Sequence, residues 1–321
     1  MPISRIILFI TMLGLMASGT TSAETDIIYR PEFKYNLGYT DYTLKVSNGS
    51  VYVRSTLEFP TDAALFGQTL GVAVSDLDGP LWEFTLTGFL NLNQRGGTMT
   101  DSDWSGSSPA LMTLFSYTES SVAKNHLIWE AEVSRRILTF TRASLEINAG
   151  YRFHRMSTDI FGVEGWQLVD DGTGITRYDF NQDGHFLYYR VTYNMPYVGA
   201  NYDLSLDSDL NLGFEADLAA VFASDYDDHF ARYKFSKAEG LGGAVLTSAA
   251  IELFPTRTNR FKLSLFGEFD YIYVPASQRQ EWYGDDPASE DFDDTGRVIS
   301  NIDYEFDSWQ FNAGFRIHLL F

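Results

Sequence analysis

Between residues 209 and 222 apolar and polar side chains alternate. Leu210, Leu212, Phe214, Ala216, Leu218, Ala220 and Phe222 take the even positions, and Asp209, Asn211, Gly213, Glu215 and Asp217 fall between them. Neighbouring side chains of an extended chain point to opposite faces, so this period of two predicts a strand with one apolar and one polar face. The end of the chain repeats the pattern: Trp309, Phe311, Ala313, Phe315, Ile317, Leu319 and Phe321 interleave with Gln310, Asn312, Gly314, Arg316 and His318. Similar runs cover residues 81–93, 145–154 and 261–273. A soluble sandwich also alternates, with its apolar face turned inward. Strands this long, carrying many small and charged residues on the polar face, instead fit an apolar exterior against lipid and a wet lumen.

The connections fall into two sizes that alternate along the chain. Short ones lie near 76–80, 135–143, 203–209 and 254–259, longer ones near 94–121, 158–184, 223–240 and 276–297, and an Asn48-Gly49 pair suits a tight hairpin between the first two strands. With 51–75 taken as one long strand bent at Pro60, the strands come to an even number, about ten, as a single-chain bacterial barrel requires. The expected fold is all-β, a ten-stranded antiparallel transmembrane β-barrel with short periplasmic turns and long extracellular loops. No domain boundary, repeat or low-complexity stretch interrupts it, so residues 24–321 are expected as one barrel domain.

The first residues, "MPISRIILFITMLGLMASGTTSAETD", place Arg5 before an apolar core and small residues before Glu24. Residues 1–23 therefore read as a secretory signal peptide, and the mature chain as exported. No later run of about 18 apolar residues offers a membrane-spanning helix, so a membrane protein here must cross with strands. The 321 residues contain no cysteine, which excludes disulfides and thiolate chemistry. Aromatics reach 16%, in keeping with strands and membrane-interface belts. The net charge of -20 excludes nucleic acid as a partner and favours cationic ones, while also serving plain solubility.

Candidate chemistry sits where the polar face runs into the loops. In "ASDYDDHF", residues 223–230, Asp225, Asp227 and His229 continue the lumen-facing parity of the preceding strand. Asp227 can accept a hydrogen bond from one imidazole nitrogen of His229, leaving the other as a base toward water. In "RGGTMTDSDW" Asp101 and Asp103 again share a face, provided Gly96-Gly97 does not break the count. Two like charges so close push their pKa values apart, so one can hold a proton or the attacking water. Acidic pairs in exposed loops are most often merely solvated; two such groups at one end of one barrel point further, to hydrolysis by activated water. "DFNQDG" at 179–184 mimics half of a calcium loop, but Arg190 stands where its last ligand belongs. Gly240 to Gly243 lacks the strand-to-helix context of a phosphate cradle, and no Gly-x-Ser-x-Gly occurs. His126, His154 and His185 lack ligand spacing, and His318 lies on the lumen side of the last strand, so no metal or other cofactor is expected.

Five stretches, "RGGTMTDSDW", "GYRFHR", "YNMPYVG", "SDYDDH" and "NAGFRIHLLF", together resemble the omptins, outer-membrane endopeptidases of Gram-negative bacteria. The resemblance implies ten strands and a catalytic site with Asp101 and Asp103 as the aspartate pair and Asp227 with His229 as the dyad, an aspartyl-type hydrolase. It implies further that Asp225 lines the pocket for a basic residue before the scissile bond, and that lipopolysaccharide, bound at Tyr151 and Arg155, serves as lipid activator. The implied partners are cationic peptide or protein substrates and outer-membrane lipid, and the protein is expected to be a monomer with its site facing the cell exterior. Three departures stand out. The pocket glutamate has no counterpart in "YTDYTLKVS", where Asp41 is out of register, which implies a looser preference for basic residues. Phe153 and Thr192 replace an acid and an arginine of the lipid site, and Lys237 matches only roughly. The competing expectation is an omptin-like barrel that has drifted to an adhesive or structural role.

Overall fold

The computed structural model describes residues 24–47, 51–76, 79–170, 172–254, 260–287 and 293–321. The expected signal peptide and the Asn48-Gly49 turn lie outside the described residues. The strands are β1 (Glu24–Ser47), β2 (Tyr52–Pro60), β3 (Ala63–Asp76), β4 (Gly79–Asn91), β5 (Arg95–Gly106), β6 (Met112–Thr139), β7 (Ala143–Asp170), β8 (Ile175–Ser205), β9 (Leu210–His229), β10 (Lys234–Leu253), β11 (Phe261–Trp282) and β12 (Val298–Leu320). Each pairs antiparallel with its neighbours, and β12 closes on β1 from Ile28↔Leu320 to Lys45↔Asp303. The seam ends with Ile27 and Phe321 exchanging both backbone hydrogen bonds, each 3.0 Å.

Among the described residues twelve strands make a ring of ten because two courses are interrupted. Near the short turns the ring runs through β3 and β4; near the long hairpins β2 and β5 take the same places between β1 and β6. The segment expected as one strand bent at Pro60 is thus two strands, parted at Thr61 and Asp62. The register is nevertheless continuous: Tyr39 faces Pro60 and Asn36 faces Ala63, with the Thr61 amide donating to the Gly38 carbonyl. Pro60 brings no N–H to the ladder, which suits a break at this point.

The long connections are also corrected. Residues 94–121 contain β5, and β7, β8, β9, β10 and β11 all run well into the segments expected as loops. Their backbone groups continue the ladder rather than turning to water, which leaves connections as short as the 3₁₀ turn Phe230–Arg232 between β9 and β10.

The faces follow the alternation. Leu218, Phe222, Trp309, Phe311 and Phe315 are exposed on the outer wall, while Asp217, Gln310 and Asn312 are buried in the lumen. Across the inner space Lys34 pairs with Glu268 at 2.7 Å, and Arg152 pairs with Glu130 at 2.6 Å and Asp270 at 3.2 Å. This polar filling lies below the candidate residues. The outward aromatics Tyr39, Trp309, Tyr273 and Phe222 mark the far edge of the lipid-facing belt, and Asp225 comes three residues beyond Phe222. Among the described residues no helix is long and apolar enough to cross a membrane.

Candidate active site

β9 carries its parity past the aromatic edge, so Asp225 and Asp227 turn inward and are buried, at 7% and 0% exposure. His229 ends the strand, its Nε2 lying 3.1 Å from Asp227 Oδ2. The same carboxylate oxygen accepts the Tyr42 hydroxyl from β1, whereas Asp227 Oδ1 is buried without a partner among the described residues. With the imidazole proton on Nε2, Nδ1 keeps its lone pair.

The aspartate pair comes from β5. Gly96 and Gly97, at φ +148° and +85°, form an irregularity where the pairing with β6 shifts between Arg95 and Thr98. A Cβ on Gly97 would sit 2.6 Å from Pro60 Cγ, so both backbone and space require glycine there. The count survives the irregularity. Asp101, opposite Leu57, and Asp103, opposite Ser55, face inward with the same odd parity as Thr85 and Thr87 of β4. Ser55 Oγ donates to Asp101 Oδ1 at 3.4 Å.

Asp101, Asp103, Asp227 and His229 line one open cleft of about 1020 Å³, together with Lys234 and Trp282. Burial, then the charges of Asp103 and Asp227, push the Asp101 carboxyl up to about 8. Asp103 is also raised by burial, held back by its hydrogen bond from Ser55 and by the nearby Arg232. His229 moves the other way: burial lowers it below the ordinary histidine range although Asp227 opposes the shift. Near neutral pH the cleft therefore holds a protonated carboxyl on one wall and a neutral imidazole on the other. That pairing suits acid and base catalysis by two separate groups.

Asp225 sits elsewhere. It is not on the cleft surface but beneath Asp227, its Oδ1 accepting the Ala238 amide at 2.7 Å and its Oδ2 the Tyr304 hydroxyl. Burial raises its pKa well above the usual carboxylate range. Tyr42 and Tyr304 stack at 5.1 Å between the two aspartates, and Phe59 and Tyr189 stack at 4.1 Å beside them. Among the described residues the Tyr189 hydroxyl is buried without a partner. Asp41, between the inward Thr40 and Tyr42, faces outward opposite Asp307 and Glu58, and adds no acid to the cleft.

Tyr151 and Arg155 lie on the outer wall of β7, alternating with the buried His154 and Met156. The Tyr151 hydroxyl donates to Asn194 Oδ1 at 2.6 Å, its ring lies 5.1 Å from Trp129, and Arg155 covers Phe153 at 5.1 Å. Lys237 is on β10, over Phe235 and Tyr226. The calcium-loop mimic at 179–184 is part of β8 and not a loop.

Sequence reasoning missed Tyr42, Tyr304 and Lys234. For Lys234 a signal existed, because a short hairpin pairs residues equidistant from its turn, and Lys234 is the partner of His229.

Residues 42–282 match the profile of the omptin family. The chain belongs to the omptin family. Among solved structures this omptin is similar to the crystal structure of the outer membrane protease OmpT from Escherichia coli, with a TM-score of 0.75 at 16% identity over 94% of this chain and 99% of that one. Two other solved structures align over similar lengths with much poorer superposition. The outer membrane protein OprG from Pseudomonas aeruginosa covers 93% and 97% of the two chains at TM-score 0.33 and 9% identity. The translocator domain of the autotransporter NalP from Neisseria meningitidis covers 97% and 95% at 0.31 and 8%. They carry no argument about this omptin beyond that. The curated proteins contain no match to the chain.

Proposed function

We propose that this omptin is an outer-membrane endopeptidase that hydrolyses exposed cationic polypeptides, with its cleft facing the cell exterior. The observation that carries the reading is the convergence of the β5 pair and the β9 dyad on one cleft, with Asp101 and His229 shifted in opposite directions. Long hairpins belong outside the cell in outer-membrane barrels, and the cleft lies among them. In this reading His229 Nδ1 takes a proton from water while Asp227, itself held by Tyr42, accepts from Nε2 and balances the imidazolium. The water oxygen attacks the scissile carbonyl carbon between the two walls. The aspartate pair, with Asp101 protonated, orients the water and supplies hydrogen bonds to the developing tetrahedral centre.

The basic-residue preference rests on Asp225. With both oxygens already bonded and its proton held by burial, it favours a cation only when the incoming side chain displaces the Tyr304 hydroxyl and draws that proton off, and Asp41 faces outward and adds no second acid. The bias should accordingly be looser than a two-acid pocket would give. Lipopolysaccharide bound along Tyr151 and Arg155 is the proposed activator, and no metal enters the reaction.

The test is a mixed peptide library incubated with the refolded protein, with and without lipopolysaccharide, every cut being mapped by mass spectrometry. Cuts after basic residues are expected, unaffected by EDTA and lost roughly 10²-fold to 10⁴-fold in His229→Ala, the range for removing a positioned base. Asp225→Asn should flatten the preference. No cuts in either condition would sink the endopeptidase reading and leave a structural or adhesive barrel.

A further inference from the structure

Lys234 opens β10 directly opposite His229 across the hairpin, where facing side chains stand about 4.5–5.5 Å apart at Cβ. It is 6% exposed and lines the same cleft. Three other cations of the cleft wall are held in ion pairs, Arg232 with Asp286 at 2.8 Å, Arg297 with Asp294 at 2.9 Å and Lys45 with Glu305 at 2.7 Å, while Arg54 lies flat over the Trp104 ring at 4.1 Å. Among the described residues the Lys234 ammonium has neither an ion pair nor a hydrogen bond, only the Trp282 ring at 5.7 Å. A buried ammonium without a partner is costly to keep, and such a group is satisfied by an anion that arrives.

The place of Lys234 decides which anion. Its charge is felt by His229 on one wall and by Asp101 and Asp103 on the other, so it stands where the reacting carbonyl must lie between base and acid. We propose that Lys234 is a further catalytic residue, its ammonium stabilising the negative charge that forms on the scissile carbonyl oxygen. The inference rests on the endopeptidase reading and adds to it. As the water oxygen bonds to the carbonyl carbon, the π pair moves to oxygen beside Lys234 and the water proton goes to His229. When that pair returns, the C–N bond breaks and the leaving nitrogen takes a proton from the imidazolium, giving one carboxylic acid and one amine. Lys234 stays charged throughout and neither gains nor loses a proton.

The groups facing Lys234 are Asp227 and His229 on β9, Asp101 and Asp103 on β5, Arg232 in the turn, Trp282 on β11 and Asp286 just beyond it. Burial, then Arg232, lowers its pKa to about 8, against the opposing pull of Asp227, Asp286 and Asp101. The ammonium is therefore charged below pH 8 and lost as pH rises through it, over the range in which Asp101 loses its own proton.

The experiment compares wild type, Lys234→Arg and Lys234→Met on the library peptide that wild type cleaves fastest, with folding verified by heat-dependent gel migration. For Lys234→Met, kcat should fall roughly 10²-fold to 10³-fold, the loss typical of an oxyanion donor, with KM within about threefold. Lys234→Arg should keep most of kcat. Above pH 8 log kcat should fall with a two-proton slope in wild type and a one-proton slope in Lys234→Arg, since arginine does not titrate there. If Lys234→Met does not fold, the slope in Lys234→Arg decides alone. Unchanged kcat with raised KM confined to peptides bearing an acidic residue would overturn the proposal in favour of a side-chain subsite. Equal slopes would overturn it as well. A wild type that cuts nothing removes the endopeptidase reading itself, whereas an active wild type with an indifferent lysine removes only this inference.

Discussion

His229 and Asp101 illustrate how one barrel mouth can hold base and acid at the same pH. Burial disfavours charge on both, and because one is a cation and the other an anion when charged, the same cause moves them in opposite directions. Under the proposed mechanism the consequence for rate is a bell. Activity should rise as His229 loses its proton, below the ordinary histidine range, and fall as Asp101 loses its own near pH 8. A kcat/KM profile on a fixed peptide checks this; activity still climbing past pH 9 would exclude a protonated Asp101 from the reaction. That these two side chains face one cleft was legible from parity, because a strand keeps its faces as it leaves the lipid. Tyr42 and Tyr304 were not. Their hydroxyls reach Asp227 and Asp225 from β1 and β12, across the ring, and no local pattern encodes which strands meet over the lumen.

β5 and the outer halves of β7 and β8 were read as loops for a physical reason. Alternation is imposed by lipid on one side and water on the other, and beyond the lipid both faces are wet, so "RGGTMTDSDW" and residues 158–184 lose the signal while keeping the ladder. Inside the lipid the pattern was unambiguous, and the ten-strand ring follows from it. The lumen there depends on ties between strands. Arg152 of β7 binds Glu130 of β6 and, across the interior, Asp270 of β11. Arg152→Met should destabilise the barrel by about 3–5 kcal/mol, because two carboxylates would be left without their cation. The unfolding midpoint in denaturant reads this directly, and adding Glu130→Gln and Asp270→Asn should restore much of the loss. A single mutant as stable as wild type would mean that lumen water, not Arg152, holds the acids.

The net charge of -20 gives the molecule a field that reaches about a Debye length, roughly 10 Å at 0.1 M salt, beyond its surface. Cationic peptides should be drawn in, and kcat/KM for them should fall about tenfold or more between low and high salt, while that for a neutral peptide stays flat. Equal salt dependence for both would remove steering from the account. The seam between β1 and β12 bears on the chain's connectivity. Ile27 and Phe321 meet at the short-turn end, as does the turn between β6 and β7, where the Phe140 amide donates to the Ala143 carbonyl at 2.7 Å. The cleft is at the opposite end. A circular permutant that links Phe321 to the start of β1 and opens the chain at residues 140–142 would therefore keep every strand pair and every residue of the cleft while starting its synthesis in what is now the middle of the wall. Order along the chain and position around the barrel are separable properties of this protein.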